Sequence, residues 1–163
     1  MEKFGVGKKF ITKEGCEIEI VEKLDSSKRR IRFLEYNFEI IVSIQHLTIM
    51  NIRNPYRKSV YKNGYLGVGE YSSGNKNSHT PEYVVWKEVL RRCYDKDFKD
   101  KHPTYKNASV SKYWLNFQNF AKWYEDNYPK NIENVKFELD KDLLQQGVEN
   151  KIYSPETCIF LPK

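Results

Sequence analysis

Cysteine, histidine and long apolar runs are what this chain has least of. The three cysteines, Cys16, Cys93 and Cys158, are widely spaced and odd in number. No pair has CxxC spacing, so neither a zinc knuckle nor a disulfide framework is indicated. Free thiols fit a reducing, intracellular setting, and Cys93 and Cys158 are expected as buried core thiols rather than ligands or nucleophiles. The three histidines, His46, His79 and His102, stand far apart. His102, in Lys101-His102-Pro103, is a lone loop histidine, a weak general-base candidate without a partner. No stretch reaches the length of a membrane span, and MEKFGVGKKF has no long apolar core. A soluble, cytoplasmic protein with no membrane partner is expected. Internal repeats and low-complexity blocks are absent too.

What the chain does have is rings and positive charge. Its 163 residues are 39% hydrophobic and 15% aromatic, with twelve Tyr, nine Phe and three Trp. That supports a real core, as one ordinary domain or two small ones, and argues against disorder. The formal net charge is +6, unevenly spread. Residues 1 to 80 carry 14 Lys and Arg against 9 Asp and Glu, and residues 81 to 163 carry 14 against 13. A basic half suits phosphate binding through counterion release; it equally suits a surface kept soluble by charge.

The chain divides by pattern into three parts. Residues 1–50 read as short strands, KKFITKEG, CEIEIVEKL, KRRIRFLEY and FEIIVSI, separated by turn signals. The period of two in Glu17-Ile18-Glu19-Ile20 and Arg30-Ile31-Arg32-Phe33 predicts an antiparallel sheet or open barrel with one apolar face. Residues 51–80 read as a connector, basic and aromatic at first, then polar and flexible. In it Arg53, Tyr56, Arg57, Lys58, Tyr61, Lys62 and Tyr65 interleave cations with rings, a composition suited to phosphates and exposed bases. Gly64-x-x-Gly67-x-Gly69 lacks the order and the following helix of a phosphate cradle.

Residues 81–163 read as a two-helix unit with a short strand-turn-strand tail. Thr80-Pro81-Glu82 is a helix start, and Trp86, Val89, Leu90 and Cys93 form one apolar stripe. Arg91 and Arg92 lie off it, so at least one is expected to face solvent or a ligand. DKDFKDKHPTYKNASVS reads as a loop, and a ring-rich core helix is expected from Lys112 to Asn127. Strands are expected at Val135–Leu139, Lys151–Tyr153 and Ile159–Leu161. The fold class is therefore α+β, with the helices segregated in sequence.

Several motifs, in this order and spacing, resemble phage-encoded HNH homing endonucleases. They are Asn54-Pro55-Tyr56, Gly64 to Gly69, Trp86 with Arg92-Cys93-Tyr94, Pro103-Thr104-Tyr105-Lys106 and Trp114-x-x-Phe117-x-x-Phe120-x-x-Trp123. Leu139-Asp140-Lys141-Asp142 and Asn150 to Cys158 complete the series. The resemblance covers nearly the whole chain and is weakest over the first fifty residues. It implies a ββα-metal unit in which a histidine base and Asp, Asn or His ligands hold one divalent cation, Mg or Mn, on the scissile phosphate. Here the base position falls on Lys141. An ordinary lysine, with a pKa of about 10.4, is charged at neutral pH and cannot act as that base. Such relatives continue past the cysteine to a closing ligand, whereas this sequence stops at Lys163. The tail is thus expected to be a degenerate HNH hairpin, with no catalytic residue, metal or cofactor. Asp140 and Asp142 are expected as a solvated acid pair around Lys141.

Three functions follow. A phage or prophage protein derived from such a nuclease would hold DNA without cutting it, through the cation-ring segment and Arg91 and Arg92. Alternatively, it would act against host defence, blocking an immune enzyme or sequestering a nucleotide signal in the host cytoplasm. A metal-dependent endonuclease, with Asp140, Asp142 or His102 in displaced roles, is the third.

Overall fold

In a computed structural model, residues 2–130 and 132–163 are described. The chain separates into two compact units, Met1–Pro55 and Tyr56–Lys163.

The first unit is an antiparallel meander of β1 (Lys9–Ile11), β2 (Glu17–Lys23), β3 (Lys28–Phe33) and β4 (Phe38–Ser43). Alternation decides its two faces. Ile18, Ile20, Ile31 and Phe33 are fully buried, while the outer face carries the cross-strand pairs Arg30–Glu22 at 2.8 Å and Arg32–Glu39 at 2.7 Å. The same alternation turns a charged residue, Arg29, inward at 2% exposure. Its guanidinium is satisfied by the carbonyls of Phe4, Asp25 and Lys28 and by the Glu2 carboxylate. The strand expected through Ile44 stops at Ser43, whose hydroxyl caps a short helix, α1 (Ile44–Ile49). That helix inserts Leu47 into the sheet's apolar face beside Phe4 and Ile52, the cover such a sheet needs.

The second unit is built on α2 (Pro81–Tyr94) and α4 (Phe117–Asn127). Tyr83, Trp86, Val89, Leu90 and Cys93 of α2 are buried, and meet Trp114, Phe117, Phe120 and Ala121. The Trp86 indole N–H donates to the Trp114 carbonyl at 2.7 Å. Thr80 stands at the start of α2, but its hydroxyl donates to the Ser72 carbonyl instead of capping. The second helix begins later than the ring pattern suggests. Lys112–Leu115 is a 3-10 turn, and Asn116 caps α4 by accepting from the Gln118 amide at 3.0 Å. Part of the expected loop is also helical: α3 (Lys96–Lys101) is capped by Asp95, which accepts from the Phe98 amide.

The tail is not a plain hairpin. β6 (Phe137–Asp140) pairs antiparallel with β8 (Ile159–Pro162), while β7 (Ile152–Tyr153), between them in sequence, pairs in parallel with β5 (Ser109–Val110). Gln145 joins the two small sheets. Only 5% exposed, it donates to the carbonyls of Lys141 and Ile152 and accepts from the Ile152 amide. The architecture is thus α+β, with a four-stranded antiparallel sheet at its N-terminal end.

Candidate functional site

Residues 56–80 pack as part of the second unit rather than hanging free of it. Tyr65 bridges to Asn116: its amide donates to the Leu115 carbonyl and its own carbonyl accepts from the Phe117 amide. Gln118 then clamps the segment from α4, donating to the carbonyls of Leu66 and Tyr71 and accepting from the Tyr71 amide. The glycines of this run serve close packing. A Cβ on Gly64 would collide with Leu90 and Trp86, and one on Gly67, at φ +69°, with Asn116.

Just before them lies a tight turn, closed by the Val60–Gly64 bridge and holding Tyr61 and Lys62 in left-handed backbone at φ 48° and 60°. Tyr61 folds against the core, and burial raises its phenol pKa. Arg57, Lys58 and Lys62 are exposed. The half-buried rings of Tyr56 and Tyr65 lie 6.0 Å apart. Of the cation-ring residues read from sequence, these belong to the second unit. Arg53 belongs to the first unit, 3.6 Å from Glu14.

Arg91 and Arg92 are both engaged rather than free. One carboxylate, Glu88, receives two bonds from Arg91, at 2.7 and 2.8 Å, and one from Arg92 at 3.3 Å. These bonds, led by that from Arg91, hold the Glu88 carboxyl below the usual carboxylate range. Arg91 also lies over the Phe98 ring at 4.3 Å, and the His102 ring stacks on the same Phe98 with 4.3 Å between centroids.

Arg92 turns into a cleft of about 530 Å³ between α2, the Pro103–Tyr105 turn and β6. At its base lies Lys141, only 5% exposed. Its Nζ donates to Asp142 Oδ1 at 2.7 Å and sits 4.8 Å from the Tyr105 ring centroid and 5.8 Å from that of Tyr153. Arg92 faces the same two rings, 5.8 Å from Tyr105 and 3.5 Å from the Tyr153 hydroxyl. Burial works against the Arg92 charge, but Tyr153, Tyr105 and Glu88 outweigh it and raise its pKa. Burial also raises the Tyr153 phenol, which stays neutral.

Of the acid pair expected to be solvated around Lys141, Asp142 is exposed and Asp140 half-buried; the lysine between them is interior, and each acid has a separate task. Asp140 accepts from the amides of Asp142 and Leu143, closing the turn after β6. Asp142 takes both Lys141 and Lys151 at 2.7 and 2.6 Å, and these lysines depress its pKa against the opposing effect of burial. Among the described residues, no group of three His, Cys, Asp or Glu side chains is placed to hold a metal ion. Burial pushes the Cys93 thiol up to about 12 and the Cys158 thiol to about 11, far from a reactive thiolate.

Sequence reasoning missed Tyr105, Tyr153 and Glu88 as members of this cleft, and Lys151 as the second partner of Asp142. It also missed a second concavity, where Lys96, Lys99 and Lys106 gather around Pro103 and the end of α2. The Glu88 to Arg91 and Arg92 spacing of three and four was legible as a helix-surface pair; the tyrosines are joined to it only by the fold.

Compared with models of known protein families, with curated proteins and with solved structures, the chain matches none. No helix among the described residues is long and apolar enough to cross a membrane.

Proposed function

We propose that the chain is a phage or prophage nucleic-acid-binding protein of nuclease-like descent that holds duplex DNA without cleaving it. The observation that carries this reading is the Val60–Gly64 turn, anchored on the α2–α4 core, with Lys62 in it and Lys58 just before it exposed to solvent, in the segment that holds the Tyr56–Tyr65 ring pair. Cations on a rigid turn meet phosphates with little ordering cost, and neighbouring rings suit sugars or unpaired bases. Lys99 and Lys106, around Pro103, extend the supply of positive charge on the same unit. The absence of cleavage is supported by Lys141, whose ammonium is committed to Asp142 and two rings where the resemblance puts a base.

Duplex binding measured by fluorescence anisotropy tests the reading. At about 50 mM salt the parent chain binds, and the Lys58→Ala/Lys62→Ala variant binds several-fold more weakly. Supercoiled plasmid incubated with excess protein and magnesium or manganese stays supercoiled. Undetectable duplex binding would remove the proposal, and nicking abolished by Asp140→Ala or His102→Ala would replace it with the endonuclease reading.

A further inference from the structure

The cleft holds more donors than its acids can use. Lys141 carries three N–H donors, of which one reaches Asp142. Arg92 is held loosely, with its two protein bonds at 3.3 and 3.5 Å, at the long end of hydrogen-bond geometry. The Tyr153 hydroxyl accepts from Arg92 and keeps its own proton to donate. Four carboxylates, Glu88, Glu138, Asp140 and Asp142, also line the cleft, and their engagement decides its character. Glu88 is shared by two arginines and Asp142 by two lysines. Asp140 is taken up by backbone amides, and Glu138, 61% exposed, faces Lys163 at 3.9 Å. The lining counts three cations, Arg92, Lys141 and Lys163, against these four carboxylates; with Arg91 and Lys151, which share Glu88 and Asp142, it is five against four, and Arg92 and Lys141 converge on Tyr105.

A buried ammonium with a single carboxylate partner is a net cost to folding. The volume, about 530 Å³, is that of a small-molecule site. We propose that this cleft binds a nucleoside phosphate monoester. Arg92 and Lys141 take the phosphate through charge-assisted bonds, the Tyr105 and Tyr153 hydroxyls complete its donor set, and the rings offer apolar contact to the nucleoside. The ligand is either a free nucleoside monophosphate or the phosphorylated end of a strand. The site is separate from the Lys58 and Lys62 face and does not depend on duplex binding.

Isothermal titration of the full chain with nucleoside 5′-monophosphates, the matching nucleosides, and a short single strand with and without a terminal phosphate tests this. Phosphate-bearing probes are expected to bind about tenfold or more tighter than their unphosphorylated counterparts. Lys141→Met weakens them by about ten- to a hundredfold and Tyr105→Phe, which removes one hydroxyl, by about threefold to tenfold. Lys58→Ala/Lys62→Ala leaves binding of the monophosphates unchanged. Tighter binding of the phosphorylated strand names a strand end as the source, and tighter binding of the monophosphate names a free nucleotide; either upholds the site. The proposal is overturned if no phosphate-bearing probe binds below about 1 mM, or if Lys141→Met and Tyr105→Phe both bind like the parent.

Discussion

Lys141 exposes 6% of its side chain and its partner Asp142 exposes 51%. That asymmetry makes a stability prediction. Removing one member of a fully buried ion pair strands the other charge, at a cost of about 3–5 kcal/mol. Asp142 is not stranded, because water and Lys151 remain available to it. Lys141→Met, which keeps much of the volume, should therefore leave stability unchanged or raise it by up to about 2 kcal/mol. Thermal denaturation reads this as an equal or higher Tm, while a large drop would make the lysine a structural element. Ligand binding lost with stability kept is the signature of a residue retained for function.

Glu88 belongs to the same scale. Its carboxyl pKa is lowered, so its ties to Arg91 and Arg92 stabilise the fold above the ordinary glutamate value and are lost as pH falls through the depressed one. Glu88→Gln is expected to lower Tm at neutral pH and to flatten its decline between about pH 5 and 3 relative to the parent. Equal Tm against pH profiles for the two proteins would show that Glu88 is not the tie described. The identity of these residues was plain from sequence, but their pairing was not. Arg91 and Arg92 sit off the apolar stripe, which suggests solvent or ligand; one carboxylate within a turn of the helix claims both.

At the level of elements, legibility followed length and period. β2, β3 and α2 carry repeated apolar positions that only one face can bury, so they announce themselves. α1 and α3, of six residues each, are too short to be stable alone and form because Ser43 and Asp95 cap them and packing holds them. The glycine-rich run at 64–69 shows the same dependence. Its meaning comes from α4, where Gln118 supplies three backbone hydrogen bonds between 2.9 and 3.1 Å. Gln118→Ala should destabilise the protein by about 1–3 kcal/mol, through the backbone groups left unpaired. Hydrogen exchange at the Tyr71 amide should quicken more than at Trp86 or Leu90; uniform acceleration would mean that the clamp is not local.

For the molecule as a whole, the two units have separate cores. One gathers around Ile18, Ile31 and Leu47, the other around Trp86, Trp114 and Phe117. Charge is spread differently from apolar area. Residues 56–80 carry Arg57, Lys58, Lys62 and Lys76 against Glu70 alone, +3 of the second unit's net +4. If Lys58 and Lys62 each neutralise one phosphate, the slope of log affinity against log salt falls by about 1.8 in the Lys58→Ala/Lys62→Ala variant. An unchanged slope between about 50 and 200 mM salt would place the phosphate contacts elsewhere.

The sequence alone determined the α+β class, the alternating faces of β2 and β3, the stripe of α2 and the basic, ring-rich character of residues 51–65. Each is a short-range property, written in spacing and composition. Tertiary structure decided the rest: that Lys141 is interior, that Glu88 and Asp142 each serve two cations, and that Arg92, Tyr105, Lys141 and Tyr153 line one cleft. These residues come from four separate stretches of chain. Their meeting depends on β7 pairing with β5, on β6 pairing with β8 and on Gln145 tying the two sheets together. Those pairings gain their energy only after distant segments have closed on one another, so no local pattern records them.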